Sequence, residues 1–142
     1  IHTITKPSII ESQSSATEET DAICRNVAKL SQELNLKGVI VLSKSGKTVA
    51  SLSRHRLNIP IWGVCDNPLL VRQFTLYYGV EGVSINNFSG HRDEVIKQVA
   101  GLIYSHGQLE LSDKIAIISG SSIYNKSSNS ILEIVTVSET LN

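Results

Sequence analysis

The sequence predicts an α/β fold, a mostly parallel sheet sandwiched by helices. Short apolar, β-branched runs alternate with helical patterns along the chain, which is the signature of strands joined by crossover helices. Val39-Ile40-Val41-Leu42 carries no polar alternation, so it reads as a strand buried on both faces. Ile131 to Val137 alternates more than the other strands, as an antiparallel edge strand with one wet face would. The predicted order is α-β-α-β-α-β-α-β-β.

The elements follow in order. Ile1 to Ser14 has no clean period and reads with Ser15 as a linker or arm, leaving residues 16–142 as one domain. Ser15-Ala16-Thr17-Glu18 is a capping box for the first helix, whose stripe is Ile23, Val27, Leu30 and Leu34. After the first strand, Thr48 to Arg54 reads as a short helix. Asn58 to Cys65 is the second strand, with Pro60 tolerable only at its start. Asp66-Asn67-Pro68 starts a helix that runs through Phe74 and on toward Leu76 and Tyr77. Val80 to Ile85 is the third strand. Arg92 to His106 is amphipathic on Val95, Val99, Leu102 and Ile103, and Gly107 closes it. Ile115 to Ile118 is the fourth strand, a loop covers Ser119 to Ser130, and the last strand follows.

A chain of 142 residues with 41% hydrophobic and 18% charged residues can bury one core. Thirteen basic and thirteen acidic side chains cancel, and no basic stripe stands out, so nucleic acid is not an expected partner. No apolar run approaches the ~20 residues of a membrane span, and no signal peptide is visible, so a cytoplasmic location is expected. Cys24 and Cys65 lack C-x-x-C spacing and read as reduced structural thiols. His2, His55, His91 and His106 have no ligand spacing, so no metal site is expected. The chain starts at Ile1 and contains no methionine, which predicts a fragment of a longer protein.

The informative loop is Ser43-Lys44-Ser45-Gly46-Lys47-Thr48. Hydroxyls, two lysines, a glycine and the amides of a helix start are the chemistry of an anion site, above all for phosphate. Gly46-Lys47-Thr48 ends like a nucleotide-binding loop, but the first glycine of that pattern would fall at Val41, so the loop is too short to wrap a triphosphate. Two readings stand side by side: a serine-rich half-cradle for one phosphoryl group, and an ordinary strand-to-helix turn. If the first and fourth strands are neighbours, this loop and the one from Ser119 to Ser130 face each other. Arg54 and Arg56 are solvated or steer a phosphate. Trp62 reads as core or interface.

Other motifs carry little. His91-Arg92-Asp93 spells the start of a kinase catalytic loop, but its asparagine is replaced by Gln98. Asn87-Phe88-Ser89 and Asn125-Lys126-Ser127 are glycosylation sequons by letter only. No Ser-His-Asp set stands out, so the residues themselves show no catalytic machinery.

Several stretches together resemble the C-terminal domain of pyruvate kinase: Glu19 to Arg25, Val39 to Thr48, Leu52-Ser53-Arg54-His55-Arg56 with Ile59 to Val64, Arg72 to Leu76 with Tyr78-Gly79-Val80, and Asp113 to Gly120. The match runs from about Ala16 to Val137. It implies a three-layer α/β/α sandwich with a mostly parallel five-stranded sheet, the last strand antiparallel. It implies that catalysis, the transfer of phosphate from phosphoenolpyruvate to ADP with magnesium and potassium, belongs to a separate barrel. This piece would be non-catalytic and without cofactor, regulatory, and part of a homo-oligomer. The resemblance also implies a phosphorylated sugar effector such as fructose 1,6-bisphosphate, its phosphate held by Ser43, Lys44, Ser45, Gly46, Lys47 and Thr48. A second effector loop would include Gly120, Ser121, Ser122 and Lys126. That loop lacks glycine after Gly120, whereas the family's is rich in glycine and proline. A basic residue that some members use for the other phosphate falls at Val95, with Lys97 nearby. Two further readings follow: an assembly module with a decayed site, using the helix from Ala16 to Leu34, and a stand-alone domain for a phosphorylated metabolite.

Overall fold

The computed structural model describes residues 7–86, 88, 90–119 and 131–142. The elements are α1 (Pro7–Glu33), β1 (Val39–Leu42), α2 (Lys47–Ser53), β2 (Ile61–Cys65), α3 (Pro68–Phe74), β3 (Val80–Ser84), α4 (Arg92–Ser105), β4 (Lys114–Ser119), β5 (Ile131–Thr136) and α5 (Val137–Leu141). One sheet has the order β3-β2-β1-β4-β5. β1 pairs in parallel with β2 and β4, β2 pairs in parallel with β3, and β5 runs antiparallel to β4. The three-layer architecture with an antiparallel last strand is the one expected.

The pleat sorts the core into two halves. Ile40, Leu42, Trp62, Val64, Ile115 and Ile117 face α4 and α5. Val39, Val41, Cys65, Ala116 and Ile118 face the opposite layer, where Val27 of α1, Val49 of α2 and Phe74 of α3 meet them. β1, β2 and most of β4 are buried on both faces, so these strands have no polar alternation. Trp62 is core, and its ring lies against Gly38, where a side chain would collide with it.

Several boundaries differ from expectation. α1 begins at Pro7 rather than at the Ser15 capping box; proline suits the first helical position, and no glycine or further proline interrupts the run to Glu33. Leu34 lies beyond α1 and is exposed, while Cys24 joins Val27 in the core. α3 ends at Phe74, and residues 75–79 form turns into Gly79 at φ +72°. Leu102 is 40% exposed; α4 buries Val95, Ile96, Val99, Ala100 and Ile103 instead. The expected strand tail at Val137 is the start of α5, which the strand pattern hides. The Glu139 carboxylate accepts from the Thr136 hydroxyl at 2.8 Å and from its amide at 3.4 Å, capping the turn.

Candidate functional site: the carboxyl end of β1 and β4

The chain steps outward from β1 to β2 to β3, then returns to place β4 on the other side of β1. α2 covers one face and α4 the other. The carboxyl ends of β1 and β4 therefore flank a topological switch point, where open α/β sheets bind ligands. Leu42 and Ser119 are register partners across it.

Ser43-Lys44-Ser45-Gly46-Lys47-Thr48 leaves this point. Gly46 is the N-cap of α2 at φ +85°, a left-handed conformation open to glycine at little cost. Its amide donates to Ser43 Oγ at 2.8 Å, and the Ser43 amide donates to the Val64 carbonyl at 3.1 Å. The Ser43 hydroxyl is thus committed to holding the loop's shape. The Lys47 amide reaches Ser45 Oγ at 3.4 Å. Ser43, Gly46 and Thr48 are buried, whereas Lys44, Ser45 and Lys47 are exposed. The Lys44 and Ser45 amides make no hydrogen bond with another described residue. The loop thus presents two ammonium groups, one hydroxyl and backbone donors that have no partner among the described residues. Gly120, Ser121, Ser122 and Lys126 lie outside the described residues.

The structure adds one residue that the sequence reading passed over within a spurious motif. Arg92 opens α4, and its Nε donates to Ser119 Oγ at 2.8 Å. Its Nη2 lies 2.6 Å from Glu133 Oε1. Neither partner is near it in sequence, so no local pattern marks it. Val95 is packed in the core. Lys97 is exposed and borders a cavity of about 350 Å³ with Asp93, Glu94, Glu133 and Glu139. That excess of carboxylates does not suit an anion.

Arg54 and Arg56 do not join the loop. They follow the opposite, C-terminal end of α2. Arg54 Nη2 donates to Ser51 Oγ at 3.0 Å and lies 3.9 Å from Asp21. The Arg56 guanidinium stacks 4.7 Å from the centre of the Tyr78 ring. Cys24 and Cys65 are free and buried. Burial, with Asp21 nearby and Arg54 partly offsetting, pushes the Cys24 thiol up to about 11. Among the described residues, no cluster of three or more His, Cys, Asp or Glu could hold a metal ion, and no helix is long and apolar enough to cross a membrane.

The profile of the family described as "Pyruvate kinase, alpha/beta domain" matches residues 21–135. Pyruvate kinase of Bacillus licheniformis is 30% identical over 101 residues, which is 71% of this chain and 17% of that protein. Pyruvate kinase of Geobacillus stearothermophilus is 25% identical over 130 residues, covering 89% of this chain and 22% of the relative. The solved structure "Cryptosporidium parvum pyruvate kinase in complex with ADP" superposes with a TM-score of 0.77 at 21% identity, over 84% of this chain and 24% of that one. The chain thus spans about a fifth of the length of the curated relatives it matches. With a family profile matching most of its length and the same fold in a solved relative, this chain belongs to the pyruvate kinase alpha/beta domain family.

Proposed function

We propose that this chain is the regulatory domain of a pyruvate kinase and that the loop Ser43 to Thr48 holds a phosphoryl group of a phosphorylated sugar effector such as fructose 1,6-bisphosphate. The observation that carries this reading is position: Lys44, Ser45 and Lys47 project from the carboxyl end of the central strand, at the switch point of the sheet, and the Lys44 and Ser45 amides have no partner among the described residues. Lys44 and Lys47 supply charge, the Ser45 hydroxyl and those two amides supply directed donors, and Gly46 lets the backbone turn beneath the ligand. Ser43 and Thr48 are buried and shape the loop.

The parent enzyme in this reading transfers phosphate from phosphoenolpyruvate to ADP in glycolysis, using magnesium and potassium held outside this domain. Effector binding here favours one arrangement of domains and subunits, so it changes substrate affinity at a distance through its differential affinity for the two arrangements. Titration calorimetry of this chain with fructose 1,6-bisphosphate tests the reading, with inorganic phosphate as control. Saturable binding that Lys47→Glu abolishes supports it. Binding unchanged in Lys47→Glu contradicts the site.

A second reading, a module for homo-oligomer assembly, is favoured by one observation. Leu69, Leu76, Tyr77 and Tyr78 are exposed in and after α3, a local concentration of apolar surface of the kind found at interfaces. Sedimentation as a strict monomer at high concentration counts against it.

A further inference from the structure

Among the described residues, Arg92 leaves part of its hydrogen-bonding capacity unused. Its side chain is 18% exposed, and a guanidinium carries about five N–H donors. Nε is satisfied by Ser119 Oγ. Nη2 is buried and lies 2.6 Å from Glu133 Oε1, a close ion pair. Among the described residues, the charged neighbour of Nη1 is Asp93 Oδ1, at 4.0 Å on a side chain that is 99% exposed. Such a planar fork suits bidentate capture of a phosphoryl group, which would engage Nη1 and Nη2 together.

Its location gives this surplus a use. Ser119, which holds Nε, is the register partner of Leu42, the residue directly before the loop. Arg92 therefore stands on the α4 side of the switch point, and Ser43 to Thr48 lie on the other. Glu133 belongs to β5, which among the described residues is an edge strand paired with β4. The ion pair is a tether from α4 to that edge.

We propose that Arg92 is an anion latch: a phosphoryl ligand at the carboxyl end of β1 takes the guanidinium from Glu133, and its binding releases the tether to β5. The latch rests on the loop reading above and adds to it an internal competitor and a route to the sheet edge. A purely structural ion pair gives the opposite sign for one variant. Losing either partner of a structural pair weakens the local structure and with it the site. In a latch, removing the carboxylate charge helps the ligand.

The test is calorimetric titration of the chain with fructose 1,6-bisphosphate, and separately with inorganic phosphate, in the unaltered protein, Glu133→Gln, Arg92→Gln and Lys47→Glu. Circular dichroism verifies that each variant is folded. Glu133→Gln, near-isosteric and on an edge strand, is expected to tighten binding by about threefold or more, and Arg92→Gln to weaken it. Hydrogen exchange at residues 131–136 is expected to rise with ligand in the unaltered protein and to be already raised in Glu133→Gln. Binding unchanged or weakened in Glu133→Gln overturns the latch, and so does no binding in both the unaltered protein and Glu133→Gln. If Arg92→Gln fails to fold, the Glu133→Gln result decides alone. The Lys47→Glu arm separates the two ideas. If Lys47→Glu binds normally while Glu133→Gln tightens, the latch stands and the loop assignment falls. If Lys47→Glu abolishes binding while Glu133→Gln has no effect, the reverse holds.

Discussion

The ring of Phe74 packs directly against Gly46: a Cβ built on that glycine would come within 3.0 Å of the ring. The same ring lies against Gly63 of β2, where a Cβ would meet it at 2.7 Å. One aromatic side chain from the end of α3 is thus wedged between the central sheet and the candidate phosphate loop. The shape of the loop is set by packing beneath it as much as by its own hydroxyls.

Gly46→Ala therefore combines two penalties, the left-handed φ of +85° and the tight contact with Phe74. A loss of about 1–3 kcal/mol is expected, read as a lower urea midpoint with unchanged slope. Ligand affinity is expected to fall with it, because the loop cannot keep its turn.

Phe74→Ala removes the wedge. Phe74 is fully buried, and truncating such a ring costs about 3–5 kcal/mol. The measurement is again equilibrium denaturation. A loss below ~1 kcal/mol would contradict the packing described here.

Much of this was legible in the sequence. β1, β2 and β4 are uninterrupted apolar runs, and parallel strands buried on both faces have no other pattern to offer. β5 is the antiparallel edge strand expected, but it has no single wet face: Leu132 to Thr136 are all half-buried. The loop at Ser43 to Thr48 was visible because its residues are contiguous. Arg92 was not, because its partners Ser119 and Glu133 are distant in sequence and brought to it only by the β3-β2-β1-β4-β5 order. α5 was missed for a local reason: Val135-Thr136-Val137 continues the strand pattern, and the signal that breaks it is the hydrogen bonding of Glu139 back to Thr136.

Thr136→Ala deletes the hydroxyl half of that cap. A loss of about 1 kcal/mol is expected, with α5 fraying first. Faster hydrogen exchange confined to residues 137–141 is the signature, and uniform exchange across the domain would contradict it.

Cys24 sets a pH dependence. Its thiol ionises at about 11 in the fold against 9.0 in an unstructured chain. Below pH 9 both states hold the proton and stability is unaffected. As pH rises from 9 through 11 the unfolded chain loses its proton first, so stability falls over that window. Cys24→Ala is expected to flatten this part of the thermal midpoint curve. The native thiol is expected to resist alkylation at pH 8, which mass spectrometry of reacted protein checks.

The central claim is that the loop at the carboxyl end of β1 holds a phosphoryl group. The most direct measurement is a titration of the ¹⁵N-labelled chain with fructose 1,6-bisphosphate, followed by amide chemical shifts. The account predicts saturable shifts concentrated at Lys44, Ser45, Gly46 and Lys47, with the amides of Lys44 and Ser45 moving most. Saturable shifts centred elsewhere, for instance on the groove that Asn35, His55 and Arg56 line between the C-terminal ends of α1 and α2, would contradict it, as would no shifts at millimolar ligand.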